Sequence, residues 1–377
     1  MKHTPPLNDP NSRRRYPHLE RRISRTMAII FSCASVIYLA AWFLQYENNI
    51  LIFVANVFAP AALIVLLVVA ALADAYARIA GRRPSPNELL VRYIMIVAVL
   101  IPTVMGEVRS GVFASHRAAA SAGKHLSVLD ANLLGTVEIE EAFYEALDRL
   151  SPDIVLLQEL NPPVAQKILE RVGSRYACQA LQPQVGTYGM GVLAKFPCTA
   201  TPGPQEVGGF GLPQFIDLQL DTHQQVRVIN FHTIPPHTLI RNREQDNELQ
   251  RLSNSIIERE KFMRSIIVEA QKLPTDGIIL GGDLNATVRN RVYGIIRKLG
   301  LCDAWSVGDR LLGGTWPGPH YPLPSWLIRI DYIFHSDTLV AKTAETLPNG
   351  FGSDHRGVFA TFDLLPTPNS KGSDTVS

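Results

Sequence analysis

Four widely separated stretches hold the residues that could do chemistry: Gln158-Glu159, Gly282-Asp283-Leu284-Asn285, Ile330-Asp331 and, near the C-terminal end, Gly352-Ser353-Asp354-His355. A buried strand that ends in an acid delivers that carboxylate to a sheet edge. Ile154 to Leu157 does this for Glu159, and Ile278 to Leu280 does it for Asp283. A hard cation such as Mg²⁺ takes oxygens from a few fixed carboxylates and completes its shell with water and substrate phosphate. The combination predicts a site that binds a divalent metal and cuts a phosphate ester.

The remaining polar residues fit the same chemistry. Asp283 and Asn285 stand two apart, so extended backbone sends both side chains the same way. Gly281 and Gly282 would let the backbone approach a ligand closely; a Gly-Gly-Asp turn closed by Asx bonds is the competing reading. His232, after the strand Arg227 to Phe231, can donate to a phosphate oxygen or to the leaving group. His237 is set aside as an ordinary polar residue. Asp331 and His355 suggest a pair: a carboxylate on one imidazole nitrogen fixes the tautomer and leaves the other to take a proton from water. Asp354 would support the metal or its water shell. Asn132 is an amide able to orient phosphate or a carboxylate, and Asp130 alternates onto the same face. Tyr188, Gly189 and Gly191 form a glycine-containing strand edge that could line the pocket. Thr315-Trp316-Pro317 sits in a loop with Tyr321 and Trp326, a contact for substrate or membrane, with ordinary loop packing as the alternative.

Alternating strands and helices must position these groups. Strands are expected at 126–129, 154–157, 189–193, 215–220, 226–231, 277–280, 330–334 and 358–362, and helices at 139–150, 163–172, 242–273 and 292–299. Together they make one domain at 126–364. Ahead of it the chain is a different material. Residues 1–25 are rich in Arg, Pro and Asn and read as disordered. Apolar runs follow, with spans expected at about 27–45, 50–72 and 89–106, each near the ~20 residues that a membrane crossing requires. Residues 107–125 read as a linker and 365–377 as a disordered tail. Arginines precede the first run, and Arg78, Arg82, Arg83 and Arg92 lie between the second and third, while Gln45 to Asn49 has no basic residue. The positive-inside rule then puts the N-terminus in the cytoplasm and, with all three runs crossing, the domain outside it; a third run that only lies in the interface reverses the placement.

Composition excludes some classes. A net charge of +2 over 377 residues does not suit a protein that coats nucleic acid. Four cysteines do not make a disulfide framework. Cys178 and Cys198 flank neighbouring strands; they are ordinary buried thiols or, in an extracytoplasmic domain, a pair. A transporter would need polar residues within its spans, and the first two offer almost none. A non-catalytic scaffold would show gaps among the acids and imidazoles, and there are none at the principal positions.

The series Asn132, Gln158-Glu159, His232, Gly282-Asp283-Leu284-Asn285, Asp331 and Ser353-Asp354-His355 resembles the endonuclease/exonuclease/phosphatase superfamily. The three spans make the chain similar to its membrane-anchored bacterial branch. The resemblance implies a DNase I-like four-layer α/β sandwich and one-step hydrolysis by a metal- and His-activated water, with Mg²⁺ or Mn²⁺ as cofactor. By that likeness Glu159, Asp354 and Asn132 stand on the metal side, with Asn132 placing Glu159 or the phosphate. Asp283 holds or activates water, His355 is general base or electrostatic partner, and Asp331 orients His355. Asn285 and His232 contact phosphate. Many members carry a second acid soon after the first Asn; here Leu133 and Leu134 follow, which withdraws support for a second metal position. The expected enzyme is a phosphoesterase tethered to the bacterial inner membrane. Its substrate is a phosphate ester or pyrophosphate, including a lipid-linked or small-molecule one. A nuclease on the same scaffold is the alternative, not favoured because no dense basic patch surrounds the motifs.

Overall fold

The N-terminal part of the chain, apolar except toward the helix ends and at Arg92, winds into three helices, α1 (Pro17–Phe43), α2 (Ile50–Ile79) and α3 (Pro86–Ser110). Asn49 caps α2 by accepting from the Leu51 N–H at 2.8 Å, and Ser85 with Glu88 forms a reciprocal capping box on α3. Gly111, at φ 87°, ends α3 in the left-handed conformation that a Cβ disfavours. The computed structural model describes residues 17–44, 46–81, 83–111, 123–136, 138–205, 207–308, 313–319 and 328–365. Residues 17–25, read from composition as disordered, belong to α1. The expectations for 1–16, for most of the 107–125 linker, for Tyr321 and Trp326 and for the tail beyond Leu365 lie outside the described residues. Among the described residues, α2 and α3 are long and apolar enough to cross a membrane, whereas the apolar part of α1, Ile29–Phe43, is shorter. Of the three expected spans, the second and third are thus matched among the described residues.

The rest is a mixed α/β sandwich of two six-stranded sheets. One sheet contains β1 (Lys124–Asn132), β2 (Ile154–Gln158), β3 (Cys178–Gln182), β4 (Met190–Ala194), β11 (Leu339–Thr346) and β12 (Val358–Leu364), ordered β11-β12-β1-β2-β4-β3. The other contains β5 (Cys198–Pro202), β6 (Gln214–Gln219), β7 (Gln225–His232), β8 (Gly277–Asp283), β9 (Cys302–Asp303) and β10 (Asp331–His335), ordered β5-β6-β7-β8-β10-β9. Each has one parallel pair at its centre, β1 with β2 and β7 with β8. The inner faces share a core that includes Val128, Leu156, Val228 and Ile279. Outside the first sheet pack α4 (Glu141–Leu150) and α5 (Pro162–Val172), through Phe143, Leu147 and Ile168. Outside the second pack α6 (Glu248–Ala270) and α7 (Arg291–Lys298), through Ile256, Phe262 and Val292. Burial on both faces explains why β2 and β8 read as unbroken apolar runs.

Cys178 on β3 and Cys198 on β5 form a disulfide, with Cα atoms 5.4 Å apart. It joins an edge strand of one sheet to an edge strand of the other.

The N-terminal helices are not a separate appendage. Ile50 and Phe53 of α2 belong to the same buried cluster as α6 and α7. The backbone N–H of Ile50 donates to Ser253 Oγ at 3.1 Å. Glu47, in the short loop before α2, accepts from Asn56 and Asn290 side chains, each at 2.6 Å, and from the Arg291 backbone. Arg289 donates to the Asn56 carbonyl at 2.9 Å and pairs with Glu107 of α3 at 3.1 Å. Both members of that pair are almost fully buried, a geometry in which either charge alone would be costly.

Glu47 makes this joint sensitive to pH. Burial pushes its carboxyl up to about 7, against the pull of the N–H groups that it accepts. The folded form therefore holds its proton where the unfolded form has lost it. Stability is full below the ordinary pKa of 4.5 and declines as pH rises through about 7. The decline is at most about 3 kcal/mol. Thermal midpoints of wild type and Glu47→Gln are expected to lie nearest each other at pH 4.5 and to separate toward pH 8 as the wild type loses stability; parallel curves would remove Glu47 as the cause.

Candidate active site

The parallel strands end on one edge of the sandwich and aim their last residues at one another. Register places His232 of β7 beside Asp283 of β8, and Asp283 beside Asp331 of β10. In the other sheet, Asn132 of β1 pairs with Gln158 of β2. Glu159 and Asn285 follow their strands with φ of 53° and 50°, so the chain turns sharply at each. The two glycines before Asp283 serve packing rather than ligand approach. A Cβ on Gly281 would lie 2.3 Å from Leu156 of the facing sheet, and one on Gly282, at φ 144°, would lie 1.8 Å from the Phe231 carbonyl.

Asp283 is the centre of the arrangement. Its Oδ2 accepts from the Asn132 amide at 3.2 Å and the Asn285 amide at 3.1 Å. The same oxygen lies 3.4 Å from His232 Nε2 and 3.8 Å from His355 Nε2. Burial works against its charge, but His355 and His232 hold the carboxyl below the usual range. Asn132 also donates to Glu159 Oε1 at 3.1 Å, so one amide bridges the two acids. Its own oxygen accepts from the Leu134 N–H at 2.9 Å. Asn285 spends its other donor on the Thr233 carbonyl at 2.9 Å.

His355 and Asp331 meet as the sequence suggests. Nδ1 of His355 lies 3.0 and 3.1 Å from the two Asp331 oxygens. Burial alone would lower this imidazole, yet Asp331 and Asp283 push it up to about 10. Thr315 Oγ1 accepts from the backbone N–H groups of Ile330 and Asp331 and so fixes the strand that carries the acid. Asp354 accepts from Trp316 Nε1 at 3.2 Å. Its other oxygen is buried, 4.0 Å from His355 Nε2, with no hydrogen-bond partner among the described residues.

These groups fit a hard divalent cation. Asp283, Asp331 and His355 bring ligand atoms within 4.8 Å of one another. Nδ1 of His355 is committed to Asp331, which leaves Nε2, 3.8 Å from Asp283, as its free ring nitrogen. Glu159, Asp283 and Asp354, the last with an unpartnered oxygen, also turn carboxylates to a common cavity. Burial holds the Glu159 carboxyl above its usual range, the state of an acid that lacks a counter-charge.

One cavity of about 360 Å³ collects the set: Glu159, His232, Asp283, Asn285, Asp354 and His355 all line it. Asn132 and Asp331 stand behind it. His237, set aside in the sequence, is also on its wall, as are Thr187, beside Tyr188, and Trp316. Sequence reasoning missed Phe210, whose ring meets His232 edge-on at 5.3 Å, and the inter-sheet network beneath the site. There Gln158 donates to Asp130 at 2.8 Å and to Asn230 at 2.7 Å. It also missed that Phe53, Val54, Val57 and Phe58 of α2 form one side of the cavity.

The family model of the Endonuclease/Exonuclease/phosphatase family matches residues 132–355, more than half of the chain. Among solved structures, an endonuclease/exonuclease/phosphatase family protein from Bacteroides thetaiotaomicron is 15% identical, with 65% of this chain and 100% of that one covered and a TM-score of 0.51. The endonuclease/exonuclease/phosphatase from Beutenbergia cavernae DSM 12333 is 16% identical, covering 66% of this chain and 73% of that one, TM-score 0.47. D. rerio TDP2 complexed with single strand DNA product is 20% identical, covering 64% and 100%, TM-score 0.47. At such identities the first of these likenesses is one of fold. No curated protein matches the chain.

Proposed function

The chain belongs to the endonuclease/exonuclease/phosphatase family of metal-dependent phosphoric ester hydrolases, and from that premise we propose a membrane-tethered phosphoesterase that acts on a phosphate ester or pyrophosphate, lipid-linked ones included. The observation that carries this reading is the composition of the cavity wall. Acids and imidazoles face residues of an apolar helix, and no Lys or Arg lines the cavity among the described residues. Nucleic acid would be met by cationic side chains along its backbone.

Glu159, Asp354 and Asp283 would hold the ion, Mg²⁺ or Mn²⁺, which when bound neutralises charge on the phosphate and lowers the pKa of water. In this arrangement Asn132 and Asn285 turn their N–H groups to Asp283, so we assign them first to orienting that carboxylate. Asp331 holds His355 with Nε2 toward the cavity. The attacking water gives its proton to the Asp283–His355 pair as its oxygen bonds to phosphorus; the P–O bond breaks with its electron pair on the leaving oxygen, which then takes up that proton. His232, on the opposite side of Asp283, is the donor to a phosphate oxygen.

The test is phosphate release by the purified full-length protein in detergent from a long-chain pyrophosphate and, in parallel, cleavage of short DNA. Hydrolysis of the first, abolished by EDTA and restored by Mg²⁺ or Mn²⁺, is expected. Turnover that EDTA leaves untouched, or turnover of DNA alone, would replace the reading.

We place the domain on the outer face of the bacterial cytoplasmic membrane, with three spans. Arg78 and Arg83 lie at the far ends of α2 and α3 from the domain, whereas the base-free loop containing Glu47 touches it. The disulfide agrees, since such bonds persist in oxidising compartments. Protein taken from cells into a thiol-alkylating reagent should show a mobility shift at Cys178 and Cys198 only after reduction. Labelling of both without reduction would argue for a cytoplasmic domain.

A further inference from the structure

We infer that the first turns of α2 are a subsite for the hydrocarbon chain of the substrate, which is a phosphate or pyrophosphate ester of a long-chain alcohol. The inference rests on the phosphoesterase reading and names the class of molecule that this site takes.

Phe53, Val54, Val57 and Phe58 are spaced i, i+1, i+4 and i+5, so they form one helix face. That face is a wall of the same cavity that holds Asp283 and His355. Phe53 is only 1% exposed and docks the helix on the domain, but Val54 and Phe58 remain 40% and 45% exposed. Docking therefore does not account for them. Pro235, Pro236, Ile328 and Ile330 extend the apolar lining on the domain side. The only polar side chain in the first turns of α2 after its start, Asn56, is buried against Glu47 and does not interrupt the stripe.

The stripe has a direction. Toward the N-terminus of α2 it meets the acids and imidazoles; toward the C-terminus it continues through Val65, Val69 and Leu72, all exposed on a helix long and apolar enough to cross a bilayer. A chain anchored in the membrane can thus lie along α2 with its phosphate at Asp283 and never cross water. Covering the exposed Val54 and Phe58 supplies binding energy in proportion to the apolar area removed from water. A small soluble phosphate would leave that area bare.

The experiment uses the full-length protein in detergent with Mg²⁺ and a series of alkyl phosphates from butyl to hexadecyl. Wild type is expected to show kcat/KM rising with chain length, and Val54→Ser/Phe58→Ser is expected to flatten the rise, with the hexadecyl-to-butyl ratio falling roughly 10-fold or more. Both positions are exposed, and an unchanged thermal midpoint separates a lost subsite from a lost fold. A hexadecyl phosphonate with a diazirine in its chain supplies a readout that needs no turnover, and its label is expected on the segment 50–61. A flat series in wild type, an unchanged ratio in the double variant, or labelling elsewhere overturns the subsite. Labelling of 50–61 without hydrolysis of any member would instead overturn the phosphoesterase reading and leave the chain site standing.

Discussion

His355→Ala is expected to lower kcat/KM for phosphate release by about 10³-fold, the scale of a positioned acid–base group in a water-poor site. The expectation follows from how little freedom the ring has. Both Asp331 oxygens lie within hydrogen-bond distance of Nδ1, and Asp331 is itself fixed by strand pairing with Asp283 and by the Thr315 hydroxyl. The companion variant Asp331→Asn keeps the shape and turns an acceptor into an amide that can donate to Nδ1. That favours the wrong tautomer, and a loss of about 10²-fold or more is expected, mainly in kcat. Steady-state kinetics with a short soluble phosphate isolates the chemistry from chain binding. Wild-type kcat in Asp331→Asn would mean that His355 needs no orienting partner.

The second large effect is expected at Asp283, where Ala should cost on the order of 10⁴-fold. This carboxylate is 1% exposed and is the common neighbour of Asn132, Asn285, His232 and His355. Its removal takes away a proton acceptor and, by the assignment above, a ligand. It also strands two amides that now point at it. Weakened Mn²⁺ binding, followed by electron paramagnetic resonance, is the readout that does not depend on turnover. In the proposed mechanism Asp283 and His355 act on the same proton, so the double variant should be little worse than Asp283→Ala alone. Losses that multiply would show two groups acting independently.

How much of this the sequence discloses depends on the kind of contact. Strand ends were legible, because β2 and β8 are buried on both faces and each run stops at an acid. The meeting of Asp331 with His355 was legible from their types. The strand β11 was not: Lys342, Thr343 and Glu345 along it face outward at a sheet edge, and little apolar pattern survives there. The start of α6 was read too early, because Asp246 ties the N–H groups of Asn242 and Arg243 into a turn before the Asn247 cap. Gly281 and Gly282 looked like room for a ligand, whereas their missing Cβ atoms admit Leu156 and Phe231. The contribution of α2 to the cavity was invisible, since hydropathy reports that a helix is greasy and not what its first turns lean on.

The docking of α2 also governs reach. From Ile50 to Pro60 the helix rises roughly 15 Å at 1.5 Å per residue, held along that distance by Glu47, Arg289 and Phe53. A catalytic head on a loose tether would sample headgroups at many elevations. Under the proposed tethering, one clamped to its own anchor would work at a single standoff from the lipid surface and select phosphates by how far they protrude.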